Sequence, residues 1–297
     1  MLSVHVAPPF VALAATGPLV QAWFARRHPT RSPYPLYAVS NAGSFLALGQ
    51  RDPGTPSEIA VIGLGIGTLA AYGRSGDRMR FYEIDPAVVR IARDERFFTY
   101  LAQSRAEIET VEGDARISLA SERALANPPR FDFLIVDAFS SDSIPLHLVT
   151  REALALYLER LDERGLLAFH VSNHHFDLVR VLARLADDAG LHFVAIETDV
   201  IPGHLSAESS WGFLARDEGR IRALEQLALA RRAELRLPPN AIVVRRPPPA
   251  VVAITPLWTD DHSDLLGAMR PFRLHRAPGG AHAPAAAAGF DAGAPRR

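Results

Sequence analysis

The chain has 297 residues, of which 48% are hydrophobic and 22% charged, a composition close to the globular average. Its formal net charge of -1 argues against a general polyanion-binding surface, so no nucleic-acid partner is expected. The sequence contains neither cysteine nor lysine, and all 32 basic residues are arginines. These absences exclude disulfides, thiolate metal sites, cysteine nucleophiles and a lysine Schiff base.

The first 57 residues form an apolar N-terminal segment that differs from the rest of the chain. Val4 to Ala25 carries no formal charge, and about 20 apolar residues are enough to span a bilayer. Pro8, Pro9 and Pro18 weaken the prediction of a straight helix. Residues 4–48 are therefore expected to form a buried or amphipathic hairpin, with membrane contact as the alternative. The protein is expected in the cytoplasm, free or at the inner face of the membrane.

Residues 58–217 alternate between strand and helix patterns. This alternation predicts an α/β fold with a doubly wound, mostly parallel sheet, which binds ligands at the carboxyl ends of its strands. The predicted strands are Glu58–Ile62, Met79–Glu83, Ile108–Val111, Phe131–Asp137, Gly165–Val171, Leu191–Glu197 and Trp211–Ala215, and the predicted helices are Pro86–Asp94, Arg151–Leu161 and Asp177–Asp188.

Two further segments follow this core. Residues 218–275 combine a helical pattern, Arg220–Arg236, with extended stretches and are predicted to form a C-terminal elaboration. Residues 276–297 are mostly alanine, glycine and proline with little to bury, which predicts a disordered tail. The predicted division of the chain is therefore 1–57, 58–217, 218–275 and 276–297.

A glycine motif, Gly63-Leu-Gly65-Ile-Gly67-Thr68, follows the first predicted strand and is expected to open a helix. Glycines let a backbone approach a ligand closely, and a helix N-terminus presents free amide groups. Thr68 occupies the last position of the dinucleotide fingerprint G-x-G-x-x-G/A, so a nicotinamide oxidoreductase is a distant alternative. The spacing G-x-G-x-G is usual in S-adenosylmethionine-type folds, and a tight turn without a ligand is the structural alternative.

Acidic residues end the second and third predicted strands. Glu83 lies 18 residues after Gly65 and is expected to accept hydrogen bonds from both ribose hydroxyls of a nucleoside, while Asp85 caps the next helix. Asp114, which precedes Ala115, either accepts the exocyclic amine of adenine or caps the following helix, and its spacing favours neither role. Both strand ends are therefore candidates for nucleoside binding.

The fourth predicted strand ends in Asp137, at the position where transferases of this topology place their chemistry. The polar loop 140–143, which includes Asp142, follows and is suited to close over a ligand. The alternative role for Asp137 is to accept hydrogen bonds from nearby loop amides. Asp137 and Asp142 are the candidate catalytic residues.

A histidine-rich stretch follows the fifth predicted strand and contains His170, Asn173, His174 and His175. A metal site needs convergent ligands in a held geometry, and adjacent histidines do not naturally share a face. No metal is therefore expected, and Ser172 and Asn173 are expected to shape the pocket rim. A Ser-His-Asp hydrolase is disfavoured because the sequence has no G-x-S-x-G elbow.

In combination these motifs resemble the spermidine synthase (polyamine aminopropyltransferase) family, and most of all its bacterial branch fused to a membrane domain. Residues 10–48 resemble the last part of that membrane domain, whereas the family's small β-rich module is not found before the glycine motif. The strings that carry the resemblance are Gly-Leu-Gly-Ile-Gly-Thr-Leu-Ala-Ala-Tyr-Gly at 63–73, Phe-Tyr-Glu-Ile-Asp-Pro at 81–86, Gly-Asp-Ala-Arg at 113–116, Asp-Ala-Phe-Ser-Ser-Asp-Ser-Ile-Pro at 137–145, Ala-Phe-His-Val-Ser-Asn at 168–173 and Trp-Thr-Asp-Asp at 258–261.

The resemblance implies an S-adenosylmethionine-dependent methyltransferase (Rossmann-like) fold. It also implies decarboxylated S-adenosylmethionine, or S-adenosylmethionine itself, as co-substrate and no metal. In that family the acid matching Glu83 binds ribose and the acid matching Asp114 binds adenine. The cofactor-binding residues implied in this way are Gly63, Gly65, Gly67, Glu83, Asp114 and Ala115.

The resemblance further implies transfer of an aminopropyl group to a small amine, with Asp137 positioning and deprotonating the amine and Asp142 as a second acid. A methyltransferase on the same fold is one alternative. A non-catalytic nucleoside-binding remnant is another, because the β-rich substrate module is not found. A homodimer is left open.

Overall fold

The computed structural model describes residues 46–138, 144–173, 175–199 and 208–269. Short 3₁₀ helices lie at Thr68–Tyr72, Glu122–Ala124 and Leu146–Leu148. In chain order the strands and α-helices are β1 Glu58–Ile62, β2 Arg78–Glu83, α1 Pro86–Arg93, β3 Glu107–Glu112, α2 Ala115–Ser121, β4 Phe131–Val136, α3 Arg151–Arg160, β5 Leu161–His170, α4 Leu178–Asp188, β6 His192–Thr198, β7 Ser209–Ala215, α5 Glu218–Glu234, β8 Ile242–Arg245, α6 Pro249–Ile254 and α7 Leu265–Ala268.

The eight strands form one sheet in the order β3-β2-β1-β4-β5-β7-β6-β8. Strands β1 to β5 run parallel, whereas β7 is antiparallel to β5 and β6, and β8 is antiparallel to β6. The predicted doubly wound, mostly parallel sheet is therefore confirmed. The sequence prediction missed β8, because a four-residue strand at a sheet edge lacks the long apolar run that burial on two faces produces.

Apolar side chains cover both faces of the sheet. Strand β4 shows the alternation most clearly, since Leu134 and Val136 point into one cluster and Phe133 and Ile135 into the other, all of them buried. Helices α2, α3 and α4 complete the first cluster, and the 3₁₀ helix Thr68–Tyr72 with α1 and α5 completes the second. The nearly continuous apolar sequence of β4 is what burial on both faces requires.

Side-chain caps fix where the helices after the strands begin. Asp85 accepts a hydrogen bond from the amide of Ala87 at 2.8 Å, and Asp114 accepts one from the amide of Ile117 at 3.0 Å. Thr150 caps α3 in the same way. Such caps satisfy amides that the first turn of a helix leaves unpaired. Helices α1 and α2 therefore start almost directly after β2 and β3, at the carboxyl edge of the sheet.

The end of the apolar N-terminal segment packs into this fold. Leu46, Ala47 and Leu48 are buried in the cluster that α5 completes. Residues 4–45 lie outside the described residues, so membrane contact of the segment stays a prediction. Within the described ranges, no helix combines the length and the apolar character that crossing a membrane requires.

A buried ion pair holds the chain just after these residues. Arg51 Nη1 lies 2.5 Å from Asp77 Oδ2, and the two side chains are only 4% and 1% exposed. Arg51 also donates to the carbonyls of Leu48 and Tyr72 at 2.7 and 2.8 Å, and Asp77 accepts from two backbone amides. The pair therefore connects the N-terminal residues, the 3₁₀ helix and the start of β2.

The described part of the C-terminal segment also contacts the core. Trp258 is 1% exposed, and its carbonyl accepts a hydrogen bond from the amide of Arg151 at the start of α3. The carbonyl of Ala268 accepts one from Asp177 just before α4. The predicted tail 276–297 lies outside the described residues, and the predicted division of the chain at residues 57 and 217 stays a prediction.

Replacing Asp77 with alanine is expected to lower the free energy of unfolding by about 3–5 kcal/mol, because Arg51 would stay buried without its counter-charge. Urea denaturation of the full chain measures this change. Glu234→Ala serves as the matched control, since it removes one exposed ion pair, that of Glu234 with Arg231, and is expected to change stability little. An Asp77→Ala loss as small as that of the control would contradict the assigned role.

Candidate active site

The carboxyl ends of the parallel strands line one edge of the sheet. Backbone hydrogen bonds continue just past the strand ends, with the amides of Gly63 and Gly113 donating at 2.8 Å and that of Asp137 at 2.9 Å. Neighbouring strands lie about 4.8 Å apart, so the edge from β3 to β4 spans about 14 Å. Across this edge, in the order β3, β2, β1, β4 and β5, the strand ends present Asp114, Glu83, Gly63, Asp137 and His170.

The three glycines of the motif all have positive φ, at 98° for Gly63, 54° for Gly65 and 81° for Gly67. A Cβ on Gly63 would lie 2.5 Å from the carbonyl oxygen of Asp137, and a Cβ on Gly67 would lie 2.7 Å from a side-chain carbon of Leu101. At Gly65 nothing lies within 4 Å of the Cβ position. Gly63 and Gly67 are thus needed because neighbouring protein atoms occupy the Cβ position, whereas the space beside Gly65 is open to a ligand.

The segment after the motif differs from the expected helix. It is a five-residue 3₁₀ helix, Thr68–Tyr72, and Gly73 and Gly76 then turn the chain back toward β2. So short a helix lacks the aligned amides of a longer helix N-terminus. The motif therefore opens a helix as predicted, but a short 3₁₀ helix in place of a regular α-helix, and ligand approach at this point depends on the open backbone of Gly65.

Glu83 closes the glycine loop. This buried side chain accepts a hydrogen bond from the amide of Leu64 at 2.9 Å with Oε2 and from the amide of Asp85 at 3.0 Å with Oε1. Each carboxylate oxygen accepts about two hydrogen bonds, so Glu83 keeps acceptor capacity for ligand hydroxyls. Asp85 caps α1 as expected. The ribose role of Glu83 stays a prediction that this geometry permits.

Asp114 performs one of its two expected roles. Its Oδ1 caps α2, and its Oδ2 lies 3.2 Å from Nε2 of His147. Ala115, the next residue, is buried at the start of α2. Because the two oxygens of Asp114 retain free acceptor sites, the adenine role stays open beside the cap. His147 is a candidate that the sequence motifs did not indicate.

Two large aliphatic side chains stand exposed beside these acids. Ile84 follows Glu83 and is 67% exposed, and Ile117, whose amide Asp114 accepts, is 72% exposed. Exposed apolar surface next to a small number of polar groups is typical of ligand-binding surfaces. Neither isoleucine was predicted as a site residue, although Ile84 directly follows a strand-end acid. Both side chains leave apolar surface exposed next to a candidate nucleoside-binding acid.

Arg116 and Asp260 form a clasp that holds the C-terminal segment beside α2. Their bidentate contacts measure 2.8 Å from Nη1 to Oδ1 and 2.7 Å from Nη2 to Oδ2. Arg116 also donates to the carbonyl of His147, and the hydroxyl of Thr150 donates to Asp260. The hydrogen bond from Arg116 holds the pKa of Asp260 below its usual value. The clasp thereby fixes the 3₁₀ turn that carries His147 against Asp114.

Asp137 lies at the end of β4 with its side chain 20% exposed. Its Oδ1 is 2.7 Å from Nδ1 of His170, and no hydrogen bond from the described residues reaches its Oδ2. The sequence motifs missed this pairing, although the parallel register of Val136 with Phe169 places the next residue of each strand side by side. Residues 139–143, which include the predicted Asp142, lie outside the described residues, and so do hydrogen bonds from that loop.

Ser172 and Trp211 contact the imidazole ring of His170 at the end of β5. Ser172 Oγ lies 2.8 Å from its Nε2, and the ring stacks on Trp211. Asn173 was expected at the pocket rim, but it is buried and its Oδ1 accepts from the amides of two following residues, which forms a turn. His174 lies outside the described residues, and among the others no group of three His, Asp or Glu side chains could hold a metal ion.

The glycine loop gives a direct test of this geometry. Gly63→Ala is expected to cost more than about 2 kcal/mol of stability, because its Cβ would clash with the Asp137 backbone in addition to the strain of a positive φ. Gly65→Ala is the matched control, with open space around its Cβ and an expected cost of about 1 kcal/mol from strain alone. Thermal unfolding compares the two variants, and equal losses would contradict the contact between β1 and β4.

Comparison with known proteins gives partial matches in sequence. No family model matches the chain. It is 37% identical to a polyamine aminopropyltransferase of Vibrio vulnificus over 117 residues, 38% of this chain and 36% of that protein. It is 30% identical to an N-terminal histidine N-methyltransferase of Emericella nidulans over 142 residues, 46% of this chain and 24% of that protein. The chain thus spans about a third and about a quarter of these relatives.

Comparison of structures gives the fold. A crystal structure described as a probable spermidine synthase from Corynebacterium glutamicum superposes with a TM-score of 0.53, covering 77% of this chain and 81% of that chain at 17% sequence identity. The predicted α/β sheet of S-adenosylmethionine-dependent methyltransferase (Rossmann-like) type is therefore confirmed. The sequence match adds that part of this chain is homologous to polyamine aminopropyltransferase.

Proposed function

We propose that the protein is a spermidine synthase-like transferase, which moves an aminopropyl group from decarboxylated S-adenosylmethionine to a small amine acceptor. The observation that carries this proposal is the row of carboxylates, Glu83, Asp114 and Asp137, along the sheet edge beside the open backbone of Gly65. The partial sequence match to a polyamine aminopropyltransferase supports the same reaction.

The nucleoside would occupy the half of the edge formed by β1, β2 and β3. Glu83 keeps acceptor capacity for ribose hydroxyls, and Asp114 keeps it for the exocyclic amine of adenine. Ile84 and Ile117 offer apolar surface for the base. The space beyond Gly65 admits the sugar close to the backbone, a space that any Cβ would reduce.

The charges at this edge favour a positively charged ligand. Glu83 is held by backbone amides, Asp114 by a backbone amide and a histidine, and Asp137 by a histidine, so no arginine among the described residues forms an ion pair with these three carboxylates. Arg116, which lies two residues after Asp114, is already paired with Asp260. Opposite charges attract across such a partly desolvated site. A sulfonium nucleoside without a carboxylate and an amine acceptor both meet this requirement.

In the proposed reaction the lone pair of the amine attacks the methylene carbon bonded to the sulfonium sulfur. The carbon–sulfur bond breaks, its electron pair stays on sulfur, and methylthioadenosine leaves. The proton on the new secondary ammonium passes to Asp137 or to water. Decarboxylated S-adenosylmethionine supplies the activated carbon, and the chain supplies binding and orientation.

Asp137 would act mainly by orienting the amine. A primary amine has a reference pKa of about 10.4, so presenting it neutral at pH 7 costs about 4.6 kcal/mol. A carboxylate is a weak base for such an amine, and a larger gain comes from holding the nitrogen in line and stabilising its developing positive charge. Asp142 is proposed as a second acid for the amine or its distal group, and it belongs to the segment 139–143 outside the described residues.

Methyl transfer is the second candidate, and the partial match to a histidine N-methyltransferase favours it. That reaction uses intact S-adenosylmethionine, whose carboxylate would have to be accommodated at an edge lined by three carboxylates. A nucleoside-binding protein without turnover is the third candidate. Membrane contact through residues 4–48, a homodimer and a cytoplasmic location remain expectations from the sequence.

Incubation of the full chain with decarboxylated S-adenosylmethionine and putrescine is expected to form methylthioadenosine above the enzyme-free blank. Asp137→Asn is expected to lower kcat by about 100-fold or more, because the developing charge on nitrogen loses its partner. Chromatography of the reaction products measures both effects.

The matched control is Asp132→Asn, which alters a carboxylate at the opposite end of the same strand. Asp132 accepts a hydrogen bond from the amide of Glu58 at 2.9 Å, and an asparagine oxygen can keep that bond. Its rate is expected to stay within about twofold of the wild type. No methylthioadenosine above blank from the wild type would refute aminopropyl transfer, and equal losses in both variants would refute the role of Asp137.

A further inference from the structure

We infer that His170 is a positioning residue that holds the carboxylate of Asp137 by donating from Nδ1, and that it keeps this proton throughout the reaction. The inference rests on the proposed function for its effect on rate, whereas the protonation of Nδ1 can be tested without any turnover. Its basis is the chain of contacts Asp137, His170, Ser172 and Ser210 at the ends of β4, β5 and β7.

The carboxylate of Asp137 sets the direction of this chain, because an ionised carboxylate oxygen can only accept at 2.7 Å from Nδ1 of His170, and the contacts of Ser172 agree with that direction. Ser172 Oγ accepts from the amide of Ser210 at 2.9 Å, which leaves the hydroxyl proton free to donate to Nε2 of His170 at 2.8 Å. A neutral imidazole carries one N–H and one acceptor nitrogen, so Nδ1 then holds the proton. The reverse tautomer would set the lone pair of Nδ1 against an ionised carboxylate oxygen of Asp137 at 2.7 Å.

Trp211 fixes the plane of the imidazole ring. The two ring centroids are 4.5 Å apart and the ring planes differ by 4°, and Trp211 itself is 1% exposed. His170 and Trp211 are also directly paired residues of the antiparallel strands β5 and β7. Rotation of the imidazole would have to break the stacking and both ring-nitrogen hydrogen bonds together. The Nδ1 donor that faces Asp137 is therefore held both by stacking on the Trp211 side chain and by the backbone pairing of β5 with β7.

The two carboxylate oxygens of Asp137 therefore have different roles. Oδ1 accepts from His170, and Oδ2 has no hydrogen bond from the described residues, so it is the oxygen available to an amine. Because Nδ1, the ring nitrogen that faces Asp137, already carries a proton, it cannot take up the proton that the amine loses. That proton goes to Oδ2 of Asp137 or to water, and His170 orients the carboxylate without acting as the base.

Three substitutions at position 170 separate orientation from other roles. Asparagine places its Nδ2 donor close to the position of histidine Nδ1, glutamine places its donor near Nε2, and alanine has none. His170→Asn is expected to keep kcat within about tenfold of the wild type, whereas His170→Ala and His170→Gln are expected to lose about 100-fold, the usual effect of a misplaced catalytic group. The KM for the nucleoside is expected to stay within about threefold in all three, because Glu83 and Asp114 bind it elsewhere.

His192→Asn is the matched control, since His192 starts β6 at the opposite edge of the sheet. Its kcat and KM are expected to equal those of the wild type. If His170→Asn loses as much kcat as His170→Ala, the positioning role is wrong. If His170→Ala keeps its full rate in an active enzyme, the role is also wrong.

Nitrogen-15 spectra of the imidazole rings in the full chain without substrate give the second readout. The signal that disappears in His170→Asn identifies His170, and it is expected to show a proton on Nδ1. A spectrum with the proton on Nε2 alone would overturn the inference even if the enzyme is active. A wild type without turnover would refute the proposed function, while this spectrum would still decide the state of His170.

Discussion

The close approach of β1 and β4 at the carboxyl edge is the constraint on which the candidate site depends. The α-carbon of Gly63 lies so near the backbone of Asp137 that a Cβ would fall 2.5 Å from the carbonyl oxygen. The amide of Asp137 donates to Ile62 in the same place, at 2.9 Å. This contact joins the glycine loop, where a nucleoside would bind, to the acid that would meet the reacting amine. A shift of either strand end would separate the two halves of the site.

The second property of the site is the way in which its acids are held. Backbone amides hold Glu83, a backbone amide and His147 hold Asp114, and the imidazole of His170 holds one oxygen of Asp137. Hydrogen bonds from neutral donors orient a carboxylate but leave its charge in place, whereas an ion pair with arginine would cancel it. By contrast, Arg51 and Asp77 form a buried ion pair whose charges compensate each other, and this pair stabilises the fold. The carboxyl edge therefore keeps the negative potential that cationic ligands require.

Most of the fold could be predicted because its signals are local. The apolar run of β4 and the glycine and acid at the ends of β1 and β2 lie within short stretches of sequence. The pairing of Arg116 with Asp260 joins residues 144 positions apart, and no periodicity in the sequence indicates it. The sequence predicted an ordinary helix after the glycine motif. The structure has the short 3₁₀ helix Thr68–Tyr72 there, because Gly73 ends the helix before the turn toward β2.

The contact between Asp137 and His170 could be predicted from the sequence only in part. Each residue was noticed separately, as a strand-end acid and as part of a histidine-rich stretch. The register of β4 and β5 brings them together, and parallel register follows from the whole sheet and not from either strand alone. Pairing the last residues of adjacent predicted strands would have found the contact. The exposed Ile84 and Ile117 required the structure, since an exposed fraction is a property of the folded chain.

Binding of two co-substrates to the full chain tests the central claim, that an edge of unneutralised carboxylates selects a cationic nucleoside. A ligand carboxylate about 8 Å from Asp137 costs about 2 kcal/mol at an effective dielectric constant of about 20, or about 30-fold in affinity. Titration calorimetry is therefore expected to show decarboxylated S-adenosylmethionine binding at least about tenfold more tightly than S-adenosylmethionine. Equal affinities, or tighter binding of S-adenosylmethionine, would contradict the claim.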